Sequence, residues 1–469
     1  MSATSAEQTR DHRATTAPDA ALRREVRPLP HGRRRLGWYG PALLWTVSAV
    51  GSGSVLFTPR IAARYEYQLL WLALVTCGFM WIMIREAARY TTATGRTLLD
   101  GFDRLPGPHG WALWVIFVPQ LFAAVVGIAG LSALVGSALH VSFDVSPVPL
   151  TAAVIVGSTA VVGIGEYDLI TKLTRALAVV LVVLSLVAAT QVGSSPAEIA
   201  SGLVPQIPDD FDVGFVLPWV GTILAGSMGI VWFSYWTGTH GYGGPTALSA
   251  EHHEAAGAED DTPPAIDTEQ RDSRLQAWLR LVSRAAGLAV VTGALVIGSF
   301  NVLGAELLAP EGTVPSGVDV AADLGGLMEG VWGRSGFWAL IALTVFALGG
   351  SVMANQDGWG RSFADITMLL TRRRGRPHWL TRRRLRRLYV VAVTGLLPLA
   401  VYLVVQDPVT IMSMSGVVAA VHTPFIVGLI LLVNWRHLPP VVRPGLLATG
   451  ALALAGCFYL ALSVLRVVA

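Results

Sequence analysis

Two four-residue stretches interrupt apolar runs at places where a membrane helix gains nothing from them. Gly51-Ser52-Gly53-Ser54 lies inside "AVGSGSVLFTPR" (49–60), and Gly226-Ser227-Met228-Gly229 lies inside "LAGSMGIVWFSYW" (224–236). Glycines weaken a helix and serines compete for its backbone hydrogen bonds. In hydrocarbon each freed N–H or C=O costs several kcal/mol unless it faces a polar cavity or a ligand. The chemistry open to such breaks is binding: helix ends carry partial charge and suit ions or zwitterions, with hydroxyls and the Met228 thioether beside them. Close helix packing through small residues is the competing explanation.

Ionisable side chains inside apolar runs are the next source of chemistry. "LGGSVMANQDGWGRSFADITMLL" carries Asp357, Arg361 and Asp365 at i,i+4 spacing, so pairing along one helix face competes with a proton- or cation-carrying role for Asp357. Glu86 stands between Arg85 and Arg89, where a helix-end ion pair competes with a coupling role. His422 follows Ser413 and Ser415 in an apolar run and is either a hydrogen-bonded interhelical histidine or part of a site lining. "FSYWTGTHGYGG" gathers Tyr235 and His240 with several hydroxyls; interfacial anchoring competes with gating of a cavity. "EHHE" at 251–254 has zinc-binding residue types in a polar loop with no second cluster, and is expected to stay solvated.

These groups must be held by membrane helices. The chain has 469 residues, 53% of them hydrophobic and 14% charged, the balance of a polytopic membrane protein in contact with a lipid bilayer. A crossing needs about 20 apolar residues. Eleven runs qualify, near 38–62, 68–90, 110–139, 147–165, 168–191, 215–236, 281–305, 336–369, 388–405, 409–434 and 442–466. Residues 1–36 hold no apolar core with a cleavage site and read as a disordered, Arg-rich cytoplasmic tail. Cys77 and Cys457 both fall in spans, so no disulfide framework is expected. With the N-terminus inside, Arg33–Arg35, Arg85, Arg89, Arg96, Arg104, the run 371–387, Arg436 and Arg443 all lie on the cytoplasmic side. The acidic segments 208–212 and 306–329 then lie outside. The basic run is expected to anchor near anionic lipid and calls for no nucleic acid. Walker, dinucleotide and nucleophile-elbow motifs are missing from the sequence, so neither ATP-driven transport nor those enzyme classes is indicated.

Span 1 and span 6 carry the two breaks, which divides the chain as five spans, five spans and one. Paired interruptions at corresponding places in two halves are the sequence sign of an inverted-repeat transporter with its site at the membrane midplane. The expected organisation is a first repeat at 37–191, an outer loop at 192–214, and a second repeat at 215–434 with cytoplasmic loops 237–280 and 371–387. The eleventh span occupies 435–469.

"GPALLWTVSAVGSGSVLFTPRIAARYEYQLLW" (40–71) and "REAARYTTATGRTLLDGF" (85–102) resemble the first two spans of the Nramp family of divalent-metal transporters. The shared features are a Gly-Pro start, a broken first span, a Tyr/Leu-Leu-Trp opening of span 2 and a Glu-x-Ala-Ala-Arg…Thr-Gly exit. The resemblance follows span order from about 37 to 466 and is specific over the first 65 residues of that range. It implies an all-α leucine-transporter-type fold, spans 1–5 and 6–10 being inverted repeats with one extra helix. Metal-transporting members carry Asp-Pro-Gly-Asn in span 1, Asp and Asn being metal ligands, where this chain has Gly51, Ser52, Gly53 and Ser54. Their Met-Pro-His of span 6, whose His is tied to proton movement, aligns with Met228, Gly229 and Ile230.

The expected function is a secondary transporter working by alternating access, with a metal cation or small polar solute as cargo. Its expected site is Gly51, Ser52, Gly53, Ser54, Gly226, Ser227, Met228 and Gly229, with Asp357 and Glu86 as coupling groups. No cofactor is expected beyond a divalent cation as cargo, and Met228 alone suits a metal. The alternative is a membrane-embedded enzyme that reuses the cavity, for example in nitrogen modification within specialised metabolism, with Asp357, His422, His240 and Tyr235 as acid–base groups.

Overall fold

The structure, a computed structural model, describes residues 26–49, 51, 53–165, 168–244, 268–372 and 380–468. Ser52 and the "EHHE" loop lie outside the described residues. Among the described residues every regular element is helical.

Among the described residues nine helices are long and apolar enough to cross a membrane. Asp168–Ala189 and the broken span 1, built from Gly40–Ala49, a π turn at Gly53–Phe57 and Thr58–Tyr65, complete eleven. The others are Leu70–Thr94, Trp111–Phe143 and Pro147–Ile164 (spans 2 to 4), span 6 in two pieces, and Thr268–Leu303 (span 7). Val320–Thr371 is two helices joined at a kink, the second of them span 8; span 9 runs from Arg382 to Val405, span 10 is Pro408–His437 and span 11 is Leu446–Val468.

Local chemistry sets many of these ends. Asp212 accepts from the Gly214 and Phe215 amides and so starts span 6; Asp407 does the same for Val409 and Thr410 ahead of span 10, whose Pro408 has no amide to satisfy. Gly95 and Gly165 end spans 2 and 4 in the left-handed region. The most enclosed stretch is Val213–Thr239, with 82% of its apolar window buried, against 17% for Pro147–Ile164. Span 6 is therefore central, packed on spans 2 and 10, and span 4 forms part of the rim.

Two boundaries and one segment between spans differ from the sequence reading. Span 7 begins at Thr268, because Leu275 and Trp278 extend its buried stripe well before the apolar run. Span 8 is preceded by a separate helix that starts at Val320 and meets it at the Trp332–Gly333 kink, where Gly333 takes φ +63°; the span itself follows the kink, where the sequence places it. Residues 26–36, read as part of a disordered tail, follow a defined course. Val26 is buried, its carbonyl accepts from Arg274, and the Arg27 carbonyl accepts from the Trp278 indole at 2.8 Å. A 3₁₀ helix, Gly32–Tyr39, then leads into span 1.

Candidate functional site

In span 1 the helix Gly40–Ala49 is followed by Gly51, which lies outside any helix and whose carbonyl accepts from the Ser54 and Val55 amides at 3.2 and 2.9 Å. Gly53 and Ser54 thus belong to the π turn rather than to the gap, and Gly51 lies in the gap itself. A π turn inside an α-helix often marks a functional position. The Gly53 carbonyl is held by the Thr58 hydroxyl at 2.8 Å, and the Trp219 indole of span 6 donates to that same hydroxyl at 3.0 Å.

Span 6 breaks earlier than its glycine-rich motif suggests. Val213–Thr222 ends, Ile223 is extended, and Leu224 takes the left-handed φ 53°, ψ 54°. Gly226 follows at φ +60°, and the helix resumes as Gly226–Thr239, so Ser227, Met228 and Gly229 are helical. A leucine in the left-handed region is strained by about 1–2 kcal/mol. Its side chain is buried against Gly293 of span 7, where a Cβ would come within 2.2 Å of Leu224 Cδ2, so the strain is offset by packing that only glycine permits.

The two breaks touch. A Cβ on Gly53 would stand 2.4 Å from the Thr222 carbonyl oxygen and 3.3 Å from the Ile223 nitrogen. Behind them, Gly221 of span 6 and Gly416 of span 10 cross at backbone contact, a Cβ on Gly221 meeting the Gly416 carbonyl at 2.0 Å. Gly51 has open space around its Cβ direction. Ser54, Ser227 and Met228 are all buried, and the Trp45 indole reaches the Gly229 carbonyl at 3.3 Å.

One residue that the sequence reading missed joins this centre. Gln120 of span 3 places Nε2 2.8 Å from Ser227 Oγ and 2.5 Å from His422 Nδ1. His422 Nε2 lies 3.0 Å from the Val115 carbonyl. The signal for Gln120 is a lone amide in the apolar run "IFVPQLFAAVV", a polar side chain that carries no ionisable group. Of the expected site residues, the structure therefore gathers Gly53, Ser54, Gly226, Ser227 and Met228 on the two break-bearing helices and brings His422 to Ser227 through Gln120.

The other expected groups lie in separate clusters. Asp357 is 2.6 Å from Arg361 and 2.7 Å from Arg386 at the start of span 9. Asp365 pairs with Arg382 at 2.6 Å and accepts from Tyr235 at 3.0 Å. Part of the basic run read as a lipid anchor is thus tied to span 8. Glu86 is fully buried between Arg89 at 2.6 Å and Arg85 at 2.8 Å. His240 is exposed, stacked on Trp236 with its ring nitrogen 2.9 Å from that residue's carbonyl. The four acid–base groups of the enzyme alternative, Asp357, His422, His240 and Tyr235, thus sit with different partners.

Each end of the central pair is covered. At the acidic end Arg64 bridges Asp210 and Asp212 at 3.3 and 3.6 Å, and the Tyr65 hydroxyl accepts from the Asp212 amide. At the arginine-rich end Trp38 meets Tyr242 and Trp278 edge-on, and Trp45 meets Phe233 at 5.4 Å. Burial pushes the Tyr242 phenol up, so it stays protonated and donates to the Trp38 carbonyl. Among the described residues no group of three or more His, Cys, Asp or Glu side chains is placed to hold a metal ion.

Two broken spans in contact at the centre of eleven helices define a leucine-transporter-type membrane fold. The solved manganese transporter of Eremococcus coleocola superimposes with a TM-score of 0.68 at 14% identity, over 94% of this chain and 88% of that one. The nucleobase-cation-symport transporter Mhp1 superimposes at 0.52 with 12% identity, over 92% of each chain. The family model described as "Natural resistance-associated macrophage protein-like" matches residues 42–469, and the chain belongs to that family. An uncharacterised protein of Pasteurella multocida is 27% identical over 146 residues, 31% of this chain and 33% of that protein. The divalent metal cation transporter MntH of Chromohalobacter salexigens is 32% identical over 139 residues, 28% of this chain and 31% of that protein. These alignments span about a third of each curated relative.

Proposed function

We propose that this protein is a secondary transporter that moves a divalent cation by alternating access around the two breaks, in the cell membrane with its N-terminus in the cytoplasm. The contact between Gly53 and the Thr222–Ile223 backbone carries the reading, because it joins the two interrupted helices at one point enclosed from both ends. Membership of the Nramp family and the metal-transporting relatives supply the cargo class. On this reading 37–191 and 215–434 are the inverted repeats, 192–214 is the outer loop, and 435–469 is the added span. The loops 237–280 and 371–387 face the cytoplasm, with 268–280 helical within the first.

The cargo site is made of neutral donors: backbone carbonyls, Ser54, Ser227, Met228 and Gln120. A carboxylate is the strongest ligand a divalent cation finds in a partly dry site. Affinity for Mn²⁺ is therefore lower than in members with the span 1 Asp and Asn, and Gly51→Asp with Ser54→Asn raises it. The membrane-embedded enzyme, and with it a place in specialised metabolism, draws no support from the relatives named above.

Proteoliposomes loaded with a metal-sensitive dye test the reading: Mn²⁺ or Cd²⁺ entry above that of empty liposomes is expected, and its absence for both ions overturns the cargo class. Orientation is tested in a Cys457→Ser background. Arg383→Cys should react with an impermeant thiol reagent only from the cytoplasm and Ser316→Cys only from outside; a swap of sides overturns the topology.

A further inference from the structure

This inference rests on the alternating-access reading above and concerns what keeps the arginine-rich side of the site shut. Two polar stretches, 26–36 and the start of span 7, meet each other there. Arg274 and Trp278 stand four residues apart on span 7 and so share a face. Arg274 donates to the Val26 carbonyl at 3.3 Å and Trp278 to the Arg27 carbonyl at 2.8 Å, and the Arg27 amide donates to the Gly243 carbonyl at 3.3 Å. Val26 is buried in the same apolar core as Leu275 and Trp278, and Leu29 packs against that core. Residues 26–31 form no helix or strand, so their course is set by these contacts. Further along, the Trp38 ring stands edge-on to Trp278 at 4.6 Å and to Tyr242 at 5.1 Å, and the Tyr242 hydroxyl donates to the Trp38 carbonyl.

The segment leads directly into the inner half of span 1, Gly40–Ala49, a rod about 15 Å long. That rod joins the rest of span 1 through Gly51, which lies outside any helix and has open space in its Cβ direction. Along its length it is tied by the Trp45 indole to the Gly229 carbonyl of span 6 at 3.3 Å and by the Thr46 hydroxyl to the Ala289 carbonyl of span 7 at 2.9 Å. Both ties lie in the half of the rod nearer the joint, where a rotation about Gly51 displaces it least. Residues 26–39 grip the far end, where the same rotation displaces it most. We infer that residues 26–39 form a latch that holds the inner half of span 1 against spans 6 and 7, and that the site opens to the arginine-rich side only when the Trp38–Tyr242–Trp278 cluster and the Val26–Arg27 clasp come apart.

The packing beneath the latch supports this division of labour. A small apolar cavity is lined by Ala42 of the rod, Phe233 and Trp236 of span 6, Val282 and Ala285 of span 7, and Tyr242. Side chains around a void lose the dispersion contacts that a filled interface would give, so the rod is held less by its own face and more by the grip at its end. The hydrogen bonds that part on release are exchanged for bonds to water, so each costs little net and the latch can cycle. Its strength sets the share of molecules open to that side.

The test reads opening directly. In a Cys77→Ala, Cys457→Ser background of the full chain, Ser227→Cys places a thiol at the span 6 break, where Ser227 is 2% exposed. Its alkylation by an impermeant reagent from the cytoplasmic face of inverted vesicles should be about three- to tenfold faster in Tyr242→Phe and in Trp278→Phe, each of which removes one bond and keeps an aromatic ring. Val26→Asp should speed it further. Unchanged rates in Tyr242→Phe and Trp278→Phe overturn the inference, and these two decide if Val26→Asp does not fold. In a second experiment, Arg27→Cys with Arg274→Cys, joined by a reducible bis-thiosulfonate reagent, should abolish Mn²⁺ and Cd²⁺ uptake; dithiothreitol should restore it, and either cysteine alone should keep it. Full uptake by the bridged protein is what a passive anchor predicts, and it overturns the latch equally. A wild type that takes up neither ion refutes the cargo class alone, and the alkylation rates still decide the latch.

Discussion

The two helix breaks read alike in the sequence and are built differently. In span 1 the glycines serve space: Gly53 lets the π turn lie directly on the Thr222 carbonyl, and Gly51 sits in a gap with nothing near its Cβ direction. In span 6 the break falls at Ile223–Leu224, ahead of the motif, and depends on left-handed backbone at Leu224 and Gly226. Polar support is also one-sided. The span 6 break is backed by Gln120 and His422, whereas the span 1 turn is held by Thr58 and Trp219 through one carbonyl. A matched pair of interruptions thus divides its work, one half supplying close contact and the other the oriented side chains.

The largest expected effect separates space from conformation. Gly53→Ala forces a methyl to 2.4 Å from a backbone oxygen that cannot move alone, so it should destabilise the protein by about 1–3 kcal/mol and abolish cation uptake. Gly226→Ala meets a φ of +60° and the Gly221 carbonyl at 2.9 Å, and should cost about 1–2 kcal/mol. Gly51→Ala should stay within about 0.5 kcal/mol of wild type. Thermal unfolding of the three variants, read beside uptake, breaks the comparison if Gly51 proves as costly as Gly53.

A smaller effect is expected away from both breaks. Asp357 is held by Arg361 and Arg386, with side-chain exposures of 12%, 55% and 21%. Removing its charge strands the better-buried Arg386, at a cost of about 1–3 kcal/mol. Asp357→Asn should therefore lower the unfolding midpoint yet keep the pH dependence of uptake, and Asp357→Arg with Arg386→Asp should recover part of the loss. Loss of pH dependence at unchanged stability would place a coupling group here, outside the central pair.

The smallest effect lies at Asp100, between spans 2 and 3. Burial raises its carboxyl above the ordinary value, against the pull of Arg96 and Arg372. A carboxyl raised in the folded state favours folding when protonated, and that contribution is lost as pH rises through its folded value. Asp100→Asn should therefore raise the unfolding midpoint slightly near pH 7.5, with the gain shrinking as pH falls. A variant less stable than wild type at pH 7.5 would show that Arg96 and Arg372 outweigh burial.

Span number, order and division into five, five and one were legible because each span must satisfy the bilayer by itself, through apolar length within one segment. The same local rule misplaced the start of span 7 and passed over the helix that precedes span 8, where Leu275, Trp278 and Val320 are buried against protein ahead of the apolar runs. Residues 26–36 show the converse: their polar composition reads as tail, and the burial of Val26 with hydrogen bonds to Arg274, Trp278 and Gly243 gives them a course.

In the two interrupted spans, the sequence by itself determined the interruptions, the absence of a carboxylate from Gly51-Ser52-Gly53-Ser54 and the presence of Met228, since these are properties of residue type in an apolar run. Tertiary structure decided which residue of span 6 leaves the helix, because Leu224 is tolerated only where Gly293 makes room for it. It also decided that Gln120, Ser227 and His422 form one unit, although they are separated by 107 and 302 residues along the chain. The physical reason is the same for both: backbone strain and amide orientation are set by what lies across the helix interface, and those neighbours are distant in sequence.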